Sequence, residues 1–151
     1  MSLPALVQYE SEEEYRTHFE AVYCRKPIPT FDGFSVRFRK RQFEHCFFES
    51  SGRDRVKDCF SKRRAERIDW IQAVLQDPEA ELYQGWDRDN RCHDQRRRVA
   101  VVLGEYVVVI MMVDEKQADF ITAYLADPPR AGHLSSIQKI RRGPKWQRKN
   151  R

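Results

Sequence analysis

At Asp77-Pro78 the hydrophobic period of the chain changes, and that change limits the folds open to it. Upstream, apolar residues recur every three or four positions; downstream they alternate or run together over strand-length stretches. Ala65, Ile68, Ile71 and Leu75 mark one face of a helix from Lys62 to Gln76, with Ser61 as N-cap and Asp77-Pro78 as the stop. Earlier still, Ser11-Glu12-Glu13-Glu14 has the capping-box pattern, and Tyr15, Phe19, Val22 and Tyr23 follow at helical spacing until Pro27 and Pro29 end the helix. Thr30 to Phe38 holds an Asp32-Gly33 turn signal and then a short alternating extended piece. Beyond Pro78, Leu82 to Trp86, Arg97 to Leu103, Tyr106 to Val113 and Asp119 to Tyr124 read as four sequential strands, with Gly104-Glu105 as a hairpin turn. This order predicts an α+β domain in which N-terminal helices pack on a four-stranded antiparallel β-meander.

Charge separates the body of the chain from its end. The formal net charge is +5, yet residues 139–151 hold seven basic side chains and no acidic ones, which leaves −2 for residues 1–138. The spacing of elements predicts one domain over 1–138 and a basic, disordered tail over 139–151, whose cations and Trp146 could also serve as a nucleic-acid arm. Within the domain the signs are segregated. Residues 1–20 carry five glutamates and one arginine, whereas 37–67 carry eleven cations against five acids. Such asymmetry predicts a polarised surface.

Several classes of function are disfavoured. No apolar run approaches the roughly 20 residues of a membrane span, and the N-terminus shows no basic region followed by an apolar one, so a cytoplasmic protein with no membrane partner is expected. Cys24, Cys46, Cys59 and Cys92 lack CxxC pairing and read as free, mostly buried thiols; zinc held through His45-Cys46 or Cys92-His93 would need an uncommon adjacent spacing. Asp87-Arg88-Asp89-Asn90 opens like a calcium loop but lacks the later Gly and Glu, and 87–95 reads as a polar loop bearing Arg91 and His93. Gly132 and Gly143 stand alone rather than in a phosphate-binding loop. No metal and no cofactor are expected.

The segment Arg37-Phe38-Arg39-Lys40-Arg41-Gln42-Phe43-Glu44-His45-Cys46-Phe47-Phe48 combines cations that attract a polyanion, rings that can stack on bases, and an imidazole that titrates near neutrality. His45 reads equally as a structural histidine packed among Phe43, Phe47 and Phe48. In Asp119 to Tyr124, strict alternation sets Phe120, Thr122 and Tyr124 on one face and Ile121 and Ala123 on the other. Two hydroxyls side by side can hold a phosphate, although Thr and Tyr are also common strand residues. Lys57, Arg63, Arg64 and Arg67 fit a solvated basic face as well as a phosphate-binding one.

The order of these pieces resembles a known group. His45 in Phe43-Glu44-His45-Cys46-Phe47, the run Phe60-Ser61-Lys62-Arg63-Arg64-Ala65-Glu66-Arg67-Ile68-Asp69-Trp70-Ile71, Asp77-Pro78, and Ile121-Thr122-Ala123-Tyr124 look like phage members of the barnase–EndoU–colicin E5/D–RelE (BECR) nuclease superfamily. The likeness covers about residues 36–127. It implies a metal-independent ribonuclease, toxin- or phage-associated, acting on RNA such as tRNA or another structured RNA, with a protein inhibitor as a candidate partner. It implies His45, Arg64, Thr122 and Tyr124 as catalytic positions, with Lys57, Arg63, Arg67, Arg39 and Arg41 binding substrate. Where members often carry Glu before the Arg-Ala pair this chain has Arg63, so Arg63 and Arg64 both stand as candidates. The competing readings are a noncatalytic nucleic-acid-binding or phage structural protein using the same surface, and a degenerate nuclease that binds a partner through its sheet.

Overall fold

The structure, a computed structural model, describes residues 3–50, 58–87, 91–126, 132 and 134–146. Helix α1 (Glu12–Phe19) starts where Ser11 accepts a hydrogen bond from the Glu14 backbone N–H, and it continues as one π-helical turn over Glu20–Cys24. Then come β1 (Ile28–Pro29), β2 (Ser35–Arg37), α2 (Gln42–Phe47), β3 (Phe48–Glu49), β4 (Cys59–Phe60), α3 (Lys62–Ala65) and α4 (Ile68–Gln76). Four longer strands follow, β5 (Glu81–Asp87), β6 (Cys92–Leu103), β7 (Tyr106–Met112) and β8 (Gln117–Leu125), before α5 (Ser136–Arg142).

The α+β class holds, but the sheet is larger than a four-stranded meander. Its order is β1-β2-β8-β7-β6-β5, antiparallel except where β2 runs parallel to β8, and β3 and β4 form a separate two-stranded piece. Strands of two or three residues are too short to show an alternation, so β1, β3 and β4 left no periodic signal in the sequence. The expected hairpin is present: Leu103 pairs with Tyr106, and Gly104 takes the positive φ of 61° that the tight turn needs. The polar loop expected over 87–95 is partly strand, because Cys92 pairs with Asp87 and Asp94 with Gly85.

Apolar side chains on one sheet face meet α1, α2 and α4 in the main core. Phe19, Phe43, Phe47, Ile68, Ile71, Leu75, Val108 and Phe120 are buried there. Tyr23 staples the π turn to α4, its hydroxyl donating to the Ile68 carbonyl at 2.5 Å and accepting from the Gln72 N–H at 3.0 Å. The expected single helix from Lys62 to Gln76 is broken at Glu66 and Arg67. The cause lies in the N-terminal segment. The Val7 N–H takes the Glu66 carbonyl at 2.8 Å, and the Arg67 and Trp70 amides fall back to carbonyls three residues earlier.

Residues 139–146, the described part of the expected tail, depart from the disorder expected there. Ser135 and Gln138 form a full capping box for α5, and Ile137 buries against Tyr83, Val102 and Val107 on the second sheet face. After α5 the chain returns to β5, where Gln84 N–H donates to the Pro144 carbonyl, Lys145 bridges to Tyr83, and Trp146 N–H donates to the Leu82 carbonyl. The Trp146 indole is buried against the Phe34 ring, with centroids 5.8 Å apart. Composition marks residues 139–151 as polar, but one buried tryptophan supplies enough apolar area to anchor residues 139–146.

Two outcomes test this account. Trp146→Ala is expected to lower unfolding free energy by about 3–5 kcal/mol in urea denaturation; wild-type stability would show that the terminal segment is dispensable. Burial raises the Tyr23 phenol above its usual value, with the Gln72 hydrogen bond opposing the shift. A raised acid stabilises the fold fully below the unfolded value near 10 and loses that contribution as pH climbs beyond it. Alkaline unfolding should therefore steepen above about pH 10, and the steepness should shrink in Tyr23→Phe.

Candidate functional site

Strand β2 covers only the start of β8, pairing Ser35 to Gln117, Val36 to Ala118 and Arg37 to Asp119. Past that point α2 takes the place of a strand. The Gln42 side-chain amide donates to the Phe120 carbonyl, and the Cys46 thiol donates to the Ala123 carbonyl at 3.5 Å. These side-chain bonds satisfy backbone acceptors that would otherwise stay open at the sheet edge. Gln42 is held in turn by the Arg39 N–H at 2.9 Å.

Cys46 is also where the following helix attaches. One terminal nitrogen of Arg64 donates to the Cys46 carbonyl at 3.3 Å, and its Nε lies 3.4 Å from Glu49. Ser61, buried at the start of α3, accepts from the Arg64 N–H at 3.3 Å while its own N–H donates to the Phe47 carbonyl at 2.7 Å. The position of Arg64 is therefore fixed from its backbone and its head group. A guanidinium has five N–H donors, and about three remain on Arg64 after these contacts.

Beside this junction lies a solvent-open cleft of about 390 Å³ lined by Glu49, Arg63, Arg64, Arg67, Tyr106 and the β8 residues Ala123, Tyr124 and Leu125. Arg63 and Arg64 thus both border it. Arg67 is positioned by the helix break: its Nη1 donates to the Arg63 carbonyl at 2.6 Å, and its guanidinium sits 5.0 Å from the Trp70 ring centroid. Trp70 packs edge-on to Tyr106. Glu49 is the one acid among the described lining residues, so cations dominate the cleft.

The face assignment expected for β8 is corrected by a bulge. Val109 pairs with Thr122 while Ile110 pairs with Phe120, leaving Ile121 as the extra residue. Phe120 and Ala123 accordingly both face the main core. Thr122 and Tyr124 still share a face with one another, opposite Val109 and Val107, and Tyr124 packs against the second apolar cluster. An inserted residue inverts the parity of every later position, which a strict period of two does not anticipate.

The remaining candidates fall in different places. His45 is exposed on α2, next to Cys46, and is not among the described residues lining the arginine cleft. Arg39 pairs with Asp119 at 3.2 Å beside Arg37, and Arg41 is exposed at the N-cap of α2. Lys57 lies outside the described residues. The rings expected to stack on bases do not do so from this position: Phe38, Phe43 and Phe47 are buried in the core, and Phe48 packs on Phe60. Among the described residues no three His, Cys, Asp or Glu side chains come together as a metal-binding group. Sequence reasoning missed Tyr106 and Glu49, since the first reads as an ordinary strand residue and the second is a lone acid in a basic stretch. No protein-family model matches the chain, and no curated protein or solved structure shows significant similarity to it.

The thiols report on the α2 junction. Cys59 and Cys92 are exposed and Cys46 is buried. Burial raises the Cys24 thiol, with Glu20 adding to the shift and Lys40 opposing it. An aromatic disulfide reagent at neutral pH should modify two thiols quickly, Cys24 slowly, and Cys46 only in denaturant; prompt modification of Cys46 would mean that α2 leaves the sheet readily.

Proposed function

We propose that this protein is a metal-independent endoribonuclease, toxin- or phage-associated, whose reaction centre lies around the α2–β8–α3 junction. The observation that carries the reading is the double role of Cys46. Its thiol meets the Ala123 carbonyl and its own carbonyl meets Arg64, so His45, Arg64, Thr122 and Tyr124 are each bonded to it or one residue from a partner in that contact. One residue is a Cα step of about 3.8 Å, so the four positions lie close together along the junction, and of them Arg64 and Tyr124 line the cleft.

In this reading His45 moves a proton, taking it from the 2′-hydroxyl or giving it to the departing 5′-oxygen. The 2′-oxygen attacks the adjacent phosphorus, the P–O5′ bond breaks, and the products are a 2′,3′-cyclic phosphate and a free 5′-hydroxyl. The uncommitted Arg64 donors stabilise charge on the phosphoryl oxygens. Thr122 and Tyr124 position the phosphate, and Tyr124 is the candidate for the second proton transfer. Lys57, Arg39, Arg41, Arg63 and Arg67 contribute electrostatic attraction for the strand. The partners proposed are RNA, including structured RNA such as tRNA, and a protein inhibitor.

A noncatalytic nucleic-acid-binding role is favoured by one specific observation, the absence of His45 from the described lining of the arginine cleft. The two readings part in a single assay. Purified protein incubated with mixed RNA in EDTA is expected to cut it, leave DNA intact, and lose about 10²-fold or more in rate in His45→Ala. RNA left whole in every buffer, or cut equally by the variant, would sink the catalytic proposal; salt-sensitive binding without cleavage would establish the other.

A further inference from the structure

Tyr106 differs from the other core tyrosines. The Tyr15 hydroxyl donates to the Val7 carbonyl and accepts from the Tyr9 N–H, and the Tyr23 hydroxyl is likewise bonded on both sides. Tyr106 is 2% exposed and lines the arginine cleft, yet its hydroxyl has no hydrogen-bond partner among the described residues. That hydroxyl is not sealed from solvent, so it stays available as a donor to a group that enters the cleft. In the same wall one polar atom, Arg67 Nε, is buried without a partner among the described residues.

The charges around these two atoms are uneven. Glu49 is committed to Arg64 at 3.4 Å, and neither Arg63 nor Arg67 has a carboxylate partner among the described residues. Arg67 is also oriented in advance, by its bond to the Arg63 carbonyl and by the Trp70 ring beneath it. The wall therefore presents two guanidinium groups and one hydroxyl to whatever enters.

We infer that Arg63, Arg67 and Tyr106 form a subsite for a second phosphodiester of the RNA strand, next to the one held by Arg64. The inference rests on the ribonuclease reading for the identity of the strand. A phosphate oxygen accepts from the Tyr106 hydroxyl and from the outer Arg67 N–H groups that the Arg63 carbonyl leaves open. Tyr106 acts as a donor and not as a base: burial pushes its phenol well above the usual value, while Arg67 and Arg64 pull more weakly the other way. Because α3 carries Arg63 and Arg64 in succession, adjacent phosphates meet adjacent residues. The subsite contributes binding and register; it does not take part in proton transfer.

The test uses the full chain and two probes, inorganic phosphate and a 2′-O-methyl RNA oligonucleotide, which lacks the attacking hydroxyl and stays intact. Wild-type protein should bind both saturably by calorimetry. Tyr106→Phe, which keeps the ring packed on Trp70, should weaken both about tenfold or more, as should Arg67→Lys, which keeps charge but loses the fork. Glu49→Gln should tighten both by removing the lining anion. In cleavage assays, Tyr106→Phe should raise KM by a larger factor than it lowers kcat. Wild-type phosphate affinity in Tyr106→Phe and Arg67→Lys, or RNA cut by both with unchanged KM, would overturn the subsite while leaving the nuclease standing. Arg67-dependent phosphate binding by a protein that never cuts RNA would keep the subsite and remove the nuclease reading.

Discussion

Phe19 is the side chain on which the arrangement turns. Its ring is fully buried and lies 5.6–6.5 Å from those of Tyr23, Phe38, Phe43, Phe47 and Phe120. Those rings come from the π turn, the exit of β2, both ends of α2 and the middle of β8. Aromatic pairs of this kind contribute about 0.5–1.5 kcal/mol each beyond the area they bury, and their quadrupoles favour edge-on geometry. Three of the five contacts are edge-on, which fixes the orientation of α2 as well as its distance from the sheet.

That cluster explains a division of labour within the most basic stretch of the chain. Phenylalanines at 38, 43 and 47 point inward, so the cations between them stay at the surface. Some of those cations are structural: Arg37 and Arg39 close on Asp119, and Lys40 lies 3.8 Å from Glu20. The unspent positive charge lies instead on α3 and the turn after it, where the Val7 contact breaks the helix and the Arg67 head group settles over Trp70. The cleft owes its charge to local sequence and its shape to a bond from the opposite end of the chain.

Much of this scaffold was legible beforehand, and the failures have definite causes. Helix faces with Ala65, Ile68, Ile71 and Leu75, the Ser11 cap and the Gly104 hairpin follow from periodicity and turn chemistry, which act over a few residues. The helix break at Glu66, the bulge at Ile121 and the docking of Trp146 depend on partners 20 or more residues distant or on an inserted residue, and local pattern carries neither. At the site, Arg63, Arg64 and Arg67 were visible as a basic face. Tyr106 was not, because a tyrosine whose hydroxyl faces a cleft has the same sequence signature as one bonded inside the core.

The attachment of α2 has a mechanical side. A strand in that place would be locked to β8 by a ladder of main-chain bonds, and any shift would have to move by a whole register step. The helix bearing His45 instead meets β8 through the Gln42 amide and the Cys46 thiol, while Phe43 and Phe47 hold it to the core, so it shares no register with the strand beside it. The contacts that place His45 over the sheet edge are thus side-chain bonds, which a substitution can alter one at a time, where a strand would have to give up its ladder.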